Sequence, residues 1–263
     1  MKTKLFALSI ICFSFFSCSS DDSGGEDNTP VNFTVPLTTG KYWTYDVTDG
    51  TNNFRDSLYI SGDTIIASKT YKKFKVKDDV ATGFYSSSLR NNGVRESDNK
   101  LLLSGDLSVG AGQQLPIDLD LSLSDFIIFK KNAQTGAVLS TKSDSFQETY
   151  NGFPVTINYT LTSKGGTSIA TFTSPNGDIY TNVKTAIIEL NASATTTIPG
   201  TTIPITIMDS QDVLVSTQYI ADNIGVVYVN TVTSYTINED AANQLGIPVS
   251  GTQTQEEFLD TYN

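Results

Sequence analysis

The chain has 263 residues, with 28 acidic side chains against 17 basic ones, a net charge of −11, two cysteines and no histidine. The missing imidazole excludes Ser-His-Asp and Cys-His nucleophile systems, His-ligated haem and the zinc sites that need it. The acidic balance disfavours nucleic acid, whose phosphates require a Lys/Arg surface, and no phosphate-binding glycine motif points to nucleotides.

Lys2 and Lys4, the apolar run Leu5 to Phe16 and the close Phe15-Phe16-Ser17-Cys18 follow the order of a secretory signal. The run is too short to cross a bilayer, which takes about 20 apolar residues. An ordinary signal peptide, or a buried N-terminal strand, with an incidental cysteine is the competing reading. Cys18 at the cleavage boundary, with acidic charge only beyond it, favours lipid attachment. The segment resembles the lipobox of bacterial lipoproteins, with Phe15 where that family prefers Leu. The resemblance implies cleavage between Ser17 and Cys18, a diacylglyceryl group on the Cys18 thiol and a fatty acyl chain such as palmitate on the new amine. Such chains anchor a protein to a membrane, here the outer membrane, at about 0.8 kcal/mol per buried methylene.

Ser19-Ser20-Asp21-Asp22 is similar to the acidic export signal of Bacteroidota-type surface lipoproteins, which implies the cell surface; a solvated linker on the periplasmic face is the alternative. Residues 19 to 30 are too polar to offset their ordering entropy and are expected to form a flexible tether. The predicted organisation is a signal peptide over 1–17, lipidated Cys18 and an acidic tether over 18–35, and one antiparallel β domain over 36–263. Cleavage removes Cys12, so no disulfide forms, and loss of Lys2 and Lys4 takes the net charge from −11 to −13.

Beyond the tether the chain is rich in Thr, Ser, Val, Ile and Tyr, with turn residues every ten or so positions. Strands are expected over Lys41–Val47, Arg55–Ile60 and Lys69–Val76, with a turn at Ser61-Gly62-Asp63. Phe84–Leu89 and Lys100–Leu103 read as the next two. Ile117, Leu119, Leu121 and Leu123 alternate with Asp118, Asp120 and Ser122, a half-buried strand, and Phe126–Phe129 reads as a run buried on both sides. Val138–Tyr150 and Phe153–Thr162 pair around Asn151-Gly152, and Gly165-Gly166 marks a reversal. Ile169–Thr173 and Ile179–Leu190 pair around Pro175–Asp178. Ile203–Met208, Val213–Ala221 and Ile224–Ile237 complete an antiparallel meander. Asn238 caps a predicted helix over Glu239–Leu245 that ends at Gly246. Thr254 and Glu257 match a capping box for a second helix with Phe258, Leu259 and Tyr262 as its stripe.

Gly40-Lys41-Tyr42-Trp43-Thr44-Tyr45, the stretch Asp56–Thr64 with Thr70-Tyr71 after it, and Tyr219–Val227 together resemble uncharacterised Bacteroidota-type lipoproteins. These open on a G-x-Y-W-x-Y strand and close on a Y-x-A-x-x-I/V-G-x-V strand–turn–strand. The resemblance implies an all-β, mainly antiparallel fold: a curved sheet, half-barrel or barrel of the lipocalin-like or LolA-like kind with one or two short C-terminal helices. A β-sandwich is the alternative. It implies no defined activity. Gly225 suits a bulge or a close backbone approach. Tyr42, Trp43 and Tyr45 are candidate ligand-lining residues, with core packing as the competing and better-supported role for the tryptophan and its tyrosine neighbours.

Asp118 and Asp120 share a strand face, but calcium wants six to eight oxygens and no EF-hand loop is present, so a solvated face is the expectation. Glu189, Asp209 and Asp212 have no motif that pairs them for glycoside hydrolysis. Lys184 and Thr185 form no Ser-Lys motif. Asp56-Ser57-Leu58 and Asp63-Thr64-Ile65 match a short O-glycosylation acceptor pattern. No catalytic residue, metal or cofactor is expected. The expected function is non-catalytic binding of a small apolar ligand or a glycan by a monomer held to the membrane by its N-terminal lipid. A structural or adhesive surface protein and a carboxylate glycoside hydrolase are the alternatives. A ligand-sized pocket lined by Tyr, Phe and Trp favours the first, a packed interior the second, and two facing acids in a cleft the third.

Overall fold

The computed structural model describes residues 33–109, 115, 119–197 and 203–263, which belong to one compact unit, Val31–Asn263. Cys18, Ser19, Ser20, Asp21 and Asp22 lie outside the described residues, as do Ile117 and Asp118. The strands are β1 (Tyr42–Thr48), β2 (Asn53–Ile66), β3 (Lys69–Val76), β4 (Gly93–Ser97), β5 (Lys100–Val109), β6 (Leu119–Lys130), β7 (Val138–Tyr150), β8 (Phe153–Thr173), β9 (Ile179–Thr197), β10 (Pro204–Ala221), β11 (Gly225–Thr236) and β12 (Ser250–Tyr262). They form one antiparallel sheet in the order β6-β5-β4-β3-β2-β1-β12-β11-β10-β9-β8-β7.

Consecutive strands are neighbours except β6 and β7, and the first strand pairs with the last, so the sheet is a nearly closed up-and-down barrel. Its seam lies between β6 and β7, where side chains replace the ladder. Ile127 N donates to Ser140 Oγ at 3.1 Å, and Ser163 Oγ donates to Ile127 O. Closure by pairing or bridging removes the unpaired edges that invite aggregation.

Alternation sets the two faces. On β9, Ala186, Ile188, Leu190, Ala192 and Ala194 are buried in the core, while Ile187, Glu189, Asn191 and Ser193 between them are only half-buried. On β1, Trp43, Tyr45 and Val47 point inward. Each large apolar side chain buried this way contributes about 1.5–3 kcal/mol. Asn151 and Gly152 both have positive φ, 48° and 85°, and close the β7–β8 hairpin at the turn expected from Asn-Gly.

One end of the barrel is covered by the segment that leads into β1. Phe33 is buried with its ring centroid 5.7 Å from that of Phe129, Thr34 N donates to Asp222 Oδ1 at 2.7 Å, and Asn223 N donates to Thr34 O at 2.8 Å. The other end carries helix α2 (Glu239–Leu245), bounded as predicted. Asn238 accepts from Asp240 N and Ala241 N, Gly246 takes φ of 68°, and Asn151 Nδ2 donates to Leu245 O at 2.5 Å.

Several expectations are corrected. Phe84–Leu89 is not a strand but a six-residue helix, α1, inside the barrel. The second C-terminal helix is strand β12: Gln255, Glu257 and Leu259 face inward, and the segment fills the place between β1 and β11. Pairing on both sides outweighs a local capping box. The turn at Ser61–Asp63 is a bulge within β2, with the reversal instead at Ala67-Ser68, both at positive φ. Gly165-Gly166 is likewise a bulge within a continuous β8. A Cβ at Gly165 would lie 2.5 Å from Gln134 O, so the glycine admits the loop that joins β6 to β7. Ile203–Met208 and Val213–Ala221 are one bulged strand.

Candidate functional site

The core of the barrel is organised by α1, whose N-terminus has no cap of its own: Gly83 precedes it and offers no side chain. The wall supplies the acceptors. Asp56 of β2 accepts from Thr82 N at 3.0 Å and Gly83 N at 2.8 Å. Gln255 of β12 accepts from Phe84 N at 2.8 Å and returns its amide to Thr82 O at 3.1 Å. Glu257 accepts from Tyr85 N at 2.6 Å, Ser86 N at 3.3 Å and Ser86 Oγ at 3.0 Å. Five consecutive N–H groups are thus satisfied by three side chains that are distant in sequence, which answers the need of any buried helix start.

Asp56 and Glu257 are each only 1% exposed. Burial pushes the Glu257 carboxyl up to about 7, against the lowering effect of the Tyr85 and Ser86 hydrogen bonds, and the nearby Asp56 charge adds to the rise. Burial raises Asp56 as well. Tyr45, whose ring meets that of Tyr85 edge-on at 5.8 Å, is held protonated by the same dry surroundings. Both carboxylates are spent on the backbone of α1, so they act as caps and have no face open to a substrate.

Space inside is correspondingly small. The cavity beside α1, lined by Phe84, Leu89, Leu107, Phe126 and Gln218 among others, measures about 20 Å³. That beneath α2, lined by Ile157, Met208, Ile237 and Leu245, measures about 40 Å³. Such volumes hold a water or two, whereas small-molecule pockets run to roughly 300 Å³ and more.

The three aromatic candidates separate. Trp43 Nε1 donates to Ile224 O at 2.6 Å and its ring stacks on Phe74 at 6.1 Å. Tyr45 Oη donates to Val226 O at 2.9 Å. Both side chains are committed to the core. Tyr42 faces the other way, 40% exposed, directly across the ladder from Tyr59. Gly225, at φ of 106°, lets the β11 backbone approach Trp43: a Cβ there would sit 3.1 Å from the indole nitrogen.

The acidic candidates also scatter. Asp120 accepts from Ser108 Oγ at 2.5 Å, Glu189 pairs with Lys164 at 2.5 Å, and Asp212 accepts from Asn191 Nδ2 at 3.0 Å. Thr185 Oγ1 accepts from Thr167 N at 2.7 Å, while Lys184 lies over the Phe33 ring at 5.5 Å. Among the described residues no three metal-capable side chains gather in one place.

Ligand-scale space occurs on the outside. A polar groove of about 410 Å³ runs across β7 to β10, lined by Ser143, Ser145, Asn158, Thr160, Asn191 and Ser193, with the Asp144 carboxylate, Tyr159 and Ser210 completing the lining. Register puts these side chains in rows: Ser143, Thr160 and Asn191 form one, Ser145, Asn158 and Ser193 the next. Sequence reading missed both this array and the Asp56–Gln255–Glu257 trio. The alternation of Ser, Asn and Thr along β7 to β9 was the available signal for the first.

The chain matches no protein-family model, no curated protein and no solved structure. Among the described residues no helix is long and apolar enough to cross a membrane.

Proposed function

We propose that this chain is a lipid-anchored surface protein that binds without catalysis, and that its ligand is a short, neutral glycan held in the outer groove. One observation carries the reading: the groove offers rows of hydroxyl and amide groups from adjacent strands, while the interior volume is filled and its acids are occupied. Polyhydroxylated ligands are bound by such convergent donors and acceptors, and a carboxamide such as Asn158 serves as both. An apolar ligand finds no comparable space in the described interior. Anchoring through Cys18, with Asp21 and Asp22 directing the protein outward, remains part of this proposal and rests on the N-terminal signal.

The test is a glycan panel screened with residues 31–263, followed by calorimetry on Asn158→Arg and Ser193→Arg, which fill the groove from its floor. Binding is expected to fall at least tenfold in each while the fold stays intact. Glycan binding that survives both substitutions removes the groove from consideration. The packed interior also favours the structural or adhesive reading, and that reading gains if no glycan binds yet cells lacking the protein lose adhesion. The anchor is read separately: fatty-acid label should vanish in Cys18→Ser, and label that persists there sinks the lipobox assignment. Protease added to intact cells should remove the protein, and Asp21→Ala with Asp22→Ala should protect it.

A further inference from the structure

We propose that strand β7 is an association edge and that its occupant is β7 of a second copy of this chain, paired antiparallel about a two-fold axis at Ser145. This dimer takes the place of the monomer expected from sequence. It is independent of the glycan reading, since it depends on the edge of the sheet and not on a ligand.

Among the described residues β7 pairs with β8 alone. At the seam β6 turns in against β8: Ile127 O accepts from Ser163 Oγ, and Leu123, Phe126 and Ile128 share a cavity with Leu161. Ile127 N reaches β7 at Ser140 Oγ, so side-chain bridging closes only the start of this seam. From Thr141 to Tyr150 the edge is open among the described residues. None of the 13 residues of β7 is buried, whereas every second residue of β8 from Val155 to Ser163 is. Backbone direction alternates along an antiparallel strand, so every other residue of the open length presents its N–H and C=O away from β8. Ser145 N donates to the carboxylate of its own neighbour, Asp144 Oδ1, at 2.9 Å. Strands average about five or six residues. A strand of this length, with no proline and no bulge beyond Ser140, keeps charge as its one protection against pairing.

That charge is complementary to itself. A two-fold at Ser145 sets Lys142 opposite Glu148 of the second copy on both sides of the axis, and Thr141 opposite Thr149. Ser145 then meets Ser145 on the axis, and Asp144 stands opposite Phe146. Lys142 lies 3.5 Å from Asp144 on its own strand with both side chains substantially exposed, and Glu148 makes no ion pair among the described residues. The other symmetric registers are poorer. Lys142 or Asp144 on the axis would face its own copy, and Phe146 there would set Asp144 against Glu148. Ser143 on the axis confines the open pairing to Thr141–Ser145, and Gln147 there pairs no charges. Ser145 also stands midway along the open length from Thr141 to Thr149. Because Ser143 and Ser145 line the outer groove, the same pairing carries its rows across the two-fold into the second copy.

Residues 31–263, one compact unit, contain no cysteine, so a single introduced thiol reports pairing without ambiguity. Cα atoms facing each other across an antiparallel ladder are about 4.5–5.5 Å apart, within disulfide reach. Ser145→Cys is expected to give a covalent dimer on mild oxidation, and Thr171→Cys, an exposed position away from β7, is not. Sedimentation velocity should show a dimer whose dissociation constant rises about tenfold in Lys142→Glu, where Glu faces Glu at both charge pairs. Lys142→Glu/Glu148→Lys reverses each pair and should restore the original constant, which a variant that merely disorders the strand would not do. A monomer at every loading concentration overturns the proposal. So does a dimer indifferent to Lys142→Glu, or one trapped as readily through Thr171→Cys, since either places the contact elsewhere. Trapping through Ser143→Cys and not through Ser145→Cys moves the axis and overturns the register.

Discussion

Two carboxylate clusters in this barrel use the same chemistry and are tuned in opposite directions. Inside, Asp56 and Glu257 face α1, and their partners are backbone N–H groups and the Ser86 hydroxyl. Outside, Asp125 accepts from Arg95 Nε at 2.8 Å and Tyr71 Oη at 2.5 Å and also pairs with Lys69, while its own N–H donates to Ser104 Oγ at 2.8 Å. Burial drives Glu257 up to about 7, whereas the Arg95 guanidinium holds Asp125 well below the usual carboxylate range. The difference shows what each site is for. The inner pair trades solvation for the placement of a helix that fills the barrel. The outer cluster ties β3, β4, β5 and β6 together at the half-buried surface.

The sharpest way to break the inner cluster is Glu257→Ala. It leaves Tyr85 N, Ser86 N and Ser86 Oγ without their acceptor in a dry interior. Unsatisfied buried donors cost about 1–3 kcal/mol each, so the loss should reach roughly 4 kcal/mol in denaturant unfolding. A loss under about 1 kcal/mol, the low end for a single such donor, would mean that α1 is not held from the wall. Gly83→Ala attacks the same contact from the helix side. A Cβ there would lie 2.2 Å from Glu257 Oε2, whose carboxylate is pinned by its hydrogen bonds and has no room to retreat. Overpacking of this kind costs roughly 2–3 kcal/mol, read as a lowered unfolding midpoint.

Acidity separates the two clusters without a disruptive mutation. The folded Glu257 carboxyl binds its proton more tightly than the ordinary value of 4.5. Protonation therefore favours the folded state, and the cost of the charged form is absent below about pH 4.5. That cost grows as pH rises to about 7 and is constant beyond. Stability should thus fall by on the order of 2 kcal/mol between about pH 5 and 8. Glu257→Gln should flatten that slope, and an unaltered slope in the Gln variant would move the effect elsewhere.

Why the outer framework could be read from sequence and the inner cluster could not is a matter of range. The Asn151-Gly152 hairpin and the Asn238-to-Gly246 helix are specified by residues within a few positions of each other, and both stand where expected. The α1 helix is specified by Asp56, Gln255 and Glu257, up to 173 residues away, and Phe84–Leu89 alone reads as a strand. The same long-range demand hid β12: polar Gln255 and Glu257 at inward positions break the apolar alternation of a strand, because they serve α1. Whether Trp43 and Tyr45 met a ligand or a packed core depended on α1, which lies far from them in sequence. The outer groove was hidden for a different reason. Its Ser, Thr and Asn residues are ordinary outward positions until register lines them up in rows.

The outer cluster should yield the smallest effect. Asp125→Asn keeps the size and suits the backbone, since Asn tolerates the positive φ of 50° found there. What is lost is the charge that pairs Lys69 and Arg95, whose side chains are 52% and 21% exposed and so recover part of their solvation. The expected cost at neutral pH is about 1 kcal/mol, at the upper end for a pair that reaches the surface. Because the folded Asp125 carboxyl titrates below its ordinary value, its contribution is present above about pH 4 and fades as pH falls further. The wild-type protein and the Asp125→Asn variant should therefore converge in strong acid, the reverse of the pH dependence expected at Glu257. A constant difference between them across the acid range would show that the carboxamide changes packing and not charge.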